Sequence, residues 1–459
     1  MSNFMSYENA QSVLGEFAEA IKSGGGGSSE SSSLLIVTFD SDFVGESYTI
    51  KQGNTTIKTG TVPQSCEVRF TVQGANETYY VYSSIDSKEY SNSVSTVEYY
   101  GEYKVHLYKY HIYGARWTSD PSTVWERTDD AAEFTDPVPY VAGAENYGSP
   151  FDNIYPWSGM TRVQYNNDAD LEMVKIPRFW YKLEEYGDGG LSIKIADAPV
   201  EGFSVCPACR KHWTVDDSDF ERSYVLVGRY QSSYIVYSGN GKYASKSPVA
   251  YGSLKFVNNF ATGDTTLGYY DETHRYGDEN TWSMDFGTWF SIHLLYLVEF
   301  ANWNVNTSIG TPPATGSRGN GETDNMPYHT GTVSSDRTTA GAWQYRYIEN
   351  LRNGYMATWL PGISYRYVNG VSSIIFYDRL DTIHNDMVKN IVDSPWIRII
   401  PTKSVIRSSA GCAKKVNIYE NSPFAFMAGD TPTFTNWQTT YSFEFPQNSK
   451  YYCQTLNTS

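Results

Sequence analysis

The sequence predicts a mainly β protein with a minor α component, built from a small β domain, a larger β-rich domain and a short N-terminal helix. Three observations carry this. Tyr is unusually common, with 39 residues, and aromatics make up 16% of the chain. Charged residues are only 19%, whereas a helical enzyme would hold more Leu, Ala, Glu and Lys. Short alternating apolar and polar runs recur between Gly, Asn and Ser turns, which is the pattern of half-buried strands.

The elements follow in order. "YENAQSVLGEFAEAIK" (residues 7–22) places Val13, Leu14, Phe17 and Ile21 on one stripe of a short amphipathic helix. A single helix of that size is marginal alone, so residues 1–22 are expected to oligomerise or attach to a partner. "SGGGGSSESSS" (Ser23–Ser33) reads as a flexible linker. Residues 34–98 hold "LLIVTFD", "SYTIKQG", "TTIKTGTV", "EVRFTVQG" and "TYYVYSSI". Five short strands with a Gly-Asn hairpin at Gln52–Thr55 predict a small Ig-like sandwich acting as a spacer. "STVEYYGEYKVHLYKYHIYG" reads as one long strand leading into a domain covering residues 99–459. Within it, helical pattern is confined to "DDAAEF" (Asp129–Phe134), Phe286–Asn302 and "FYDRLDTIHNDMVKNIVDS" (Phe376–Ser394).

Charge narrows the function. A net charge of −16 argues against a nucleic-acid binder, which needs basic patches for phosphates, and against docking on anionic lipid. "MSNFMSYENAQSVLGEF" has no basic segment followed by an apolar run, so it reads as no secretory signal. The most apolar stretch, "WSMDFGTWFSIHLLYLVEFANWN" (Trp282–Asn304), is interrupted by Asp285, His293 and Glu299. It is too broken for a membrane span of about 20 apolar residues and reads as a core helix, with no membrane insertion expected. His293 and Glu299 stand six residues apart, about 600° of helix rotation, so they face different ways. A buried Glu299 then requires a donor.

Chemical motifs are sparse. "VCPACRKHW" (Cys206–Trp213) carries one CxxC and a nearby His212, while Cys66, Cys412 and Cys453 are scattered. Plain thiols, a local disulfide, a metal site and a redox pair all remain open for Cys206 and Cys209; a structural zinc site needs four ligands. The acidic loops "YNNDADLE" and "YDETHRYGDEN" lack calcium-loop spacing and read as solvated turns. No HExxH, GxSxG, P-loop or dinucleotide fingerprint appears. No catalytic residue, metal ligand set or cofactor is predicted, and the chain reads as a non-enzyme.

A series of segments resembles phage tail proteins with a C-type-lectin-like domain, among them targets of diversity-generating retroelements; the fold is shared with formylglycine-generating enzymes. The segments are "YGARWTSDPSTVWERTDDAAEFTDPVPYVAG" (Tyr113–Gly143), "SPFDNIYPWSGMTRV" (Ser149–Val163), "VKIPRFWYK" (Val174–Lys182), "GFSVCPA" (Gly202–Ala208), "YVLVGRY" (Tyr224–Tyr230), "LLYLVEFANWN" and "NMPYHTGTVSSDRTTAGAWQYRYIENL" (Asn325–Leu351). The resemblance implies that the apolar helix is scaffold beneath a sheet and that the binding face lies in Phe424–Asn457. There the chain has "AGDTPTFTNW" where such proteins often carry "GG-[NS]-[WY]". Thr431, Thr433, Thr435, Trp437, Tyr441 and Phe443 put hydroxyls and rings on alternate positions, which a strand presents on one face. These are the candidate ligand-binding residues. The implied function is a receptor-binding, host-adhesion protein of a phage tail fibre, made in the host cytoplasm and carried on the virion. Its expected partners are a host cell-surface glycan or protein and other phage tail proteins, and its expected assembly is a homotrimer. The alternative is a purely structural tail or baseplate component with no host ligand. A third reading, an enzyme on the same fold, predicts clustered carboxylates involving Glu299 or Glu349, or a buried Cys pair in a deep pocket.

Overall fold

The computed structural model describes residues 32–97, 101–118, 125–186, 190–209, 223–230, 233–237, 240–246, 284, 286–302, 305–311 and 321–351, and beyond these only short strands between 359 and 455. The chain is mainly β and divides into two compact units, Met1–Lys109 and Tyr110–Ser459. The predicted helix at 7–22 and nearly all of the linker lie outside the described residues.

The first unit has seven strands: β1 (Ser32–Phe39), β2 (Ser47–Gln52), β3 (Thr55–Thr61), β4 (Glu67–Gln73), β5 (Thr78–Ile85), β6 (Lys88–Ser95) and β7 (Glu102–Leu107). They form two sheets, ordered β4-β1-β7 and β3-β2-β5-β6. Alternation is what builds them. Along β5, Tyr79, Val81 and Ser83 turn inward while their neighbours stay half-buried or exposed. The β2–β3 hairpin turns at Gly53-Asn54, with Gln52 opposite Thr55 and Gly53 at φ +56°. Gly60 lies opposite Tyr48, and a Cβ there would come within 2.7 Å of the Tyr48 hydroxyl. Residues of both sheets meet around Phe43, which a single 3-10 turn (Ser41–Phe43) drives inward. Its ring centroid lies 6.3 Å from Phe39 of β1 and 5.3 Å from Tyr90 of β6.

The predicted long strand across 95–114 is in fact two strands in two units. β7 runs parallel to β1 and belongs to the first unit, so the division falls after Lys109 and not at 98. Alternation cannot reveal this, because both halves alternate. The break is made by carboxylates: Asp40 Oδ2 accepts the Lys109 N–H at 2.7 Å, and Asp197 Oδ1 accepts the His111 N–H at 2.8 Å.

The second unit opens with β8 (Ile112–Trp117), β9 (Glu126–Asp129), β10 (Thr161–Gln164), β11 (Glu172–Pro177), β12 (Trp180–Tyr186), β13 (Gly190–Ala196), β14 (Ser204–Val205), β15 (Tyr224–Gly228), β16 (Ser233–Tyr237) and β17 (Asn240–Ala244). An antiparallel sheet of order β14-β12-β13-β8-β9 is its centre, with β10-β11-β15 as a second sheet. Helix α1 (Phe286–Phe300) packs on β13 and β8, and every residue from Gly287 to Phe300 is buried. A helix apolar around its circumference is stable only inside a core. Trp117, Trp157, Trp180, Ile193, Phe290 and Trp343 belong to one hydrophobic cluster with it. No described helix is long and apolar enough to cross a membrane. A short helix α2 (Val305–Ser308) follows, then a small sheet of β18 (Gly331–Thr332), β19 (Trp343–Tyr345) and β20 (Ile348–Glu349).

The expected helix at Asp129–Phe134 is instead a run of turns, with Ala131 N–H on Thr128 O and Phe134 N–H on Ala131 O. Six residues cannot complete enough helical hydrogen bonds to offset nucleation. Of the expected helix at 376–394, Phe376 and Tyr377 lie in a strand and the rest falls outside the described residues.

Removing the Phe43 ring leaves a cavity at the meeting point of the two sheets. Phe43→Ala is expected to cost about 3–5 kcal/mol, read as earlier urea unfolding of the full chain together with lost hydrogen-exchange protection in β5 and β6.

Candidate functional site

Three of the segments singled out in the sequence converge on one buried guanidinium. Glu299, in the last turn of α1, is fully buried, and Arg346 is 2% exposed. Arg346 Nε donates to Glu299 Oε2 at 2.8 Å and Nη2 donates to Oε1 at 2.7 Å. Such a two-point pairing uses the planar fork of Arg. The Tyr345 hydroxyl adds a third bond to Oε2 at 2.9 Å. This is the donor that the buried acid required. Nη1 of Arg346 donates to Trp157 O at 3.2 Å, and Nη2 also reaches Asp152 Oδ1 at 3.3 Å.

The backbone bends to place this side chain. Arg346 and Tyr347 form the β19–β20 turn with φ of +44° and +73°, a hairpin conformation usually left to Gly and Asn. The turn sends Arg346 inward and sets the Tyr347 ring 5.5 Å from His329. Thr330 Oγ1 accepts the Arg346 N–H at 3.0 Å, and Tyr347 N–H donates to His329 O at 2.8 Å.

Asp152 is the outward end of the network. It accepts from Tyr328 at 2.8 Å, from His329 Nε2 at 3.0 Å and from the Ser149 N–H at 3.1 Å. Burial raises its pKa, but the His329 and Tyr328 hydrogen bonds, the His329 charge and the Ser149 amide outweigh it and hold the carboxyl below its usual value. Burial, reinforced by the Asp152 bond and charge, pushes the Tyr328 phenol well up, so it stays a donor.

Above Asp152 lies a rim of rings. Tyr328 is 5.2 Å from Tyr147, and Tyr147 is 5.5 Å from Tyr140. Tyr147 is 36% exposed. The rim depends on a close backbone approach: Tyr140 N–H donates to Thr330 O at 3.0 Å, and Thr332 N–H donates to Tyr140 O at 2.9 Å. Gly331 sits between them at φ +150°, where a Cβ would fall 2.2 Å from Tyr140 O. No larger residue fits.

Other sequence candidates fare differently. His293 Nδ1 donates to Trp289 O at 2.9 Å, and the ring lines a small apolar cavity with Ile292, Tyr296, Val305 and Trp343. It is thus separate from Glu299, as the helix rotation predicted. Glu349 is buried and accepts the Gly321 N–H at 2.9 Å, the Thr323 N–H at 2.9 Å and the Thr323 hydroxyl at 2.6 Å. Burial nonetheless raises its pKa. In the first acidic loop Asp170 pairs with Lys246 at 2.7 Å, and Glu172 with Arg229 at 3.3 Å. No group of three His, Cys, Asp or Glu able to hold a metal occurs among the described residues. Cys206 and Cys209 are buried and form no disulfide. Thr431, Thr433, Thr435, Trp437 and Tyr441 lie outside the described residues. Phe443 begins a two-residue strand, opposite Thr455 in register.

Sequence reading singled out Glu299 but not its partners. Arg346, Asp152, Tyr328 and His329 sit inside quoted segments without any spacing that marks them as a cluster. The one signal was a lone Arg within "WQYRY", flanked by rings.

Compared with known proteins, the chain matches no family model, no curated protein and no solved structure.

Breaking the ion pair leaves an uncompensated buried charge, so Arg346→Met is expected to cost about 3–5 kcal/mol. The double variant Arg346→Met, Glu299→Met should be less destabilised than Arg346→Met alone; chemical denaturation checks both. For Asp152, a depressed folded pKa gives stability that is complete above the unfolded value, about 3.9, and is lost as pH falls through the folded one. Asp152→Asn should therefore flatten the acid limb of a thermal midpoint series between about pH 2 and 6, the range that spans that titration.

Proposed function

We propose that the chain is a receptor-binding protein of a phage tail fibre, holding a host cell-surface glycan or protein through a C-type-lectin-like second unit. The first unit is read as an Ig-like spacer and the segment before it as an attachment or oligomerisation element. One observation carries the reading best: the segments that resemble the lectin-like tail proteins are scattered from Tyr113 to Leu351, yet their large residues share one core. Trp117, Trp125, Phe151, Trp157, Phe179, Phe203 and Trp343 all belong to it, with α1 beneath the central sheet. A scaffold packed in this way is a rigid support for terminal loops, and binding residues are commonly carried on loops held by such scaffolds. The seven strands of the first unit, in sheets of three and four, support the sandwich reading.

The contact surface is assigned to Thr431, Thr433, Thr435, Trp437, Tyr441 and Phe443. Rings give large contact area at low entropy cost, and hydroxyls give adaptable hydrogen bonds. Individually weak contacts gain strength when several copies act together, as in a homotrimer.

The test is retention on cells. Purified chain, incubated with intact host bacteria and pelleted, is expected to co-sediment. Trp437→Ala with Tyr441→Ala should weaken retention by about thirtyfold or more, the equivalent of about 2 kcal/mol at a hot spot, with an unchanged thermal midpoint. Failure of the folded wild-type chain to bind any host, with the same surface covered by other tail proteins in an image of the particle, would replace this reading with a structural tail component.

A further inference from the structure

The "CPAC" stretch is not absorbed by the reading above, and its geometry is specific. Pro207–Cys209 form a 3-10 turn directly after β14. Cys209 N–H donates to Cys206 O at 2.9 Å, and Cys206 N–H donates to Phe179 O at 2.8 Å. On the other side Ala208 N–H donates to Ser291 Oγ at 3.1 Å, and that hydroxyl donates to Gly287 O at 2.8 Å. The turn is thus pinned between a strand end and α1. Both thiols are fully buried and unbridged.

A tight four-residue turn holds its first and last Cα atoms within about 7 Å. Disulfides span Cα separations of about 4.4–6.8 Å, so closure needs side-chain rotation and little chain movement. Burial pushes the Cys206 thiol up. The Cys209 thiol, the amides of Phe179 and Cys209, and the Arg178 charge outweigh it and bring the value below the usual one. The Tyr155 hydroxyl donates to Arg178 O at 2.6 Å. The Tyr155 ring is 40% exposed, and its phenol is pushed up to about 12 by burial and then by the charge of both thiols, partly offset by Arg178. An arginine charge near a buried thiol favours the thiolate.

We propose that Cys206 and Cys209 are a modification site: an oxidisable dithiol that closes to an intrachain disulfide by exchange with a low-molecular-weight disulfide. The Cys206 thiolate attacks one sulfur of the small disulfide, forming a mixed disulfide and expelling one thiolate. The Cys209 thiolate then attacks the Cys206 sulfur, expelling the second. The protein loses two protons and two electrons, and one small disulfide becomes two thiols. A metal site is the poorer account, because two thiolates supply only half of a structural zinc shell. The inference stands apart from the attachment reading and survives its failure.

The experiment uses the full chain, reduced, freed of reductant and held native in excess oxidised glutathione. Remaining thiols are trapped with N-ethylmaleimide, and the digest is weighed. The peptide holding Cys206 and Cys209 should be lighter than its reduced form by about 2 Da and carry no label, as dithiol oxidation requires. Cys209→Ser should stop at the mixed disulfide, leaving glutathione on Cys206; Cys206→Ser should slow adduct formation at Cys209 at least tenfold. The inference is overturned if the native chain keeps both thiols while the urea-unfolded chain oxidises. It is equally overturned if zinc(II) alone protects both thiols and glutathione never links them.

Discussion

The second unit depends on one ion pair. Glu299 and Arg346 sit where water does not reach, and neither is tolerable there without the other. Taking two charges out of water costs several kcal/mol per ion. Geometry makes the arrangement sustainable: both carboxylate oxygens of Glu299 and all three guanidinium nitrogens of Arg346 have partners. The pair also fixes positions. It ties the end of α1 to the β19–β20 turn and, through Trp157 O and Asp152, to the loop that follows Ser149. A second Arg repeats the tie elsewhere: Arg127 Nη2 donates to the Glu299 carbonyl at 2.8 Å. An apolar contact would hold these elements together but would leave their register free.

The first unit is organised without a buried ion pair of that kind among its described residues. Its centre is aromatic, with Phe39, Phe43, Tyr48 and Tyr90 in edge or tilted contact. Its polar order is peripheral: His106 bridges Asp40 at 2.9 Å and Thr38 at 2.8 Å, at the ends of β1 and β7. Aromatic packing of this type is what the proposed spacer role would rest on. The network around Arg346 fixes direction as well as distance, as the proposed support for recognition would require.

Strands and the core helix were legible because their signals are local. Alternation marked β1 to β5, and the mostly apolar run marked α1 within two residues of its end. The need of Glu299 for a donor was also legible, since it follows from burial alone. The identity of the donor was not. Arg346 is 47 residues away, in a turn whose positive φ values are carried by Arg and Tyr without a Gly to announce them. Asp152 and His329 are joined across 177 residues, a relation that no spacing rule reaches. The domain boundary was misplaced for a similar reason. β7 pairs with β1 at the far end of the unit, and a pairing partner is invisible to periodicity.

The distance between Glu299 and Arg346 along the chain bears on how the protein is made. Synthesis delivers the acid first. Until the ribosome has added the β19–β20 turn, α1 carries an anion with no counter-charge, and seating it in the core is opposed by several kcal/mol. A nascent chain halted between these two positions therefore exposes its most apolar helix. Such intermediates are those most prone to aggregate, so a truncation ending before residue 346 discards the basic group that lets α1 settle in the core of the second unit.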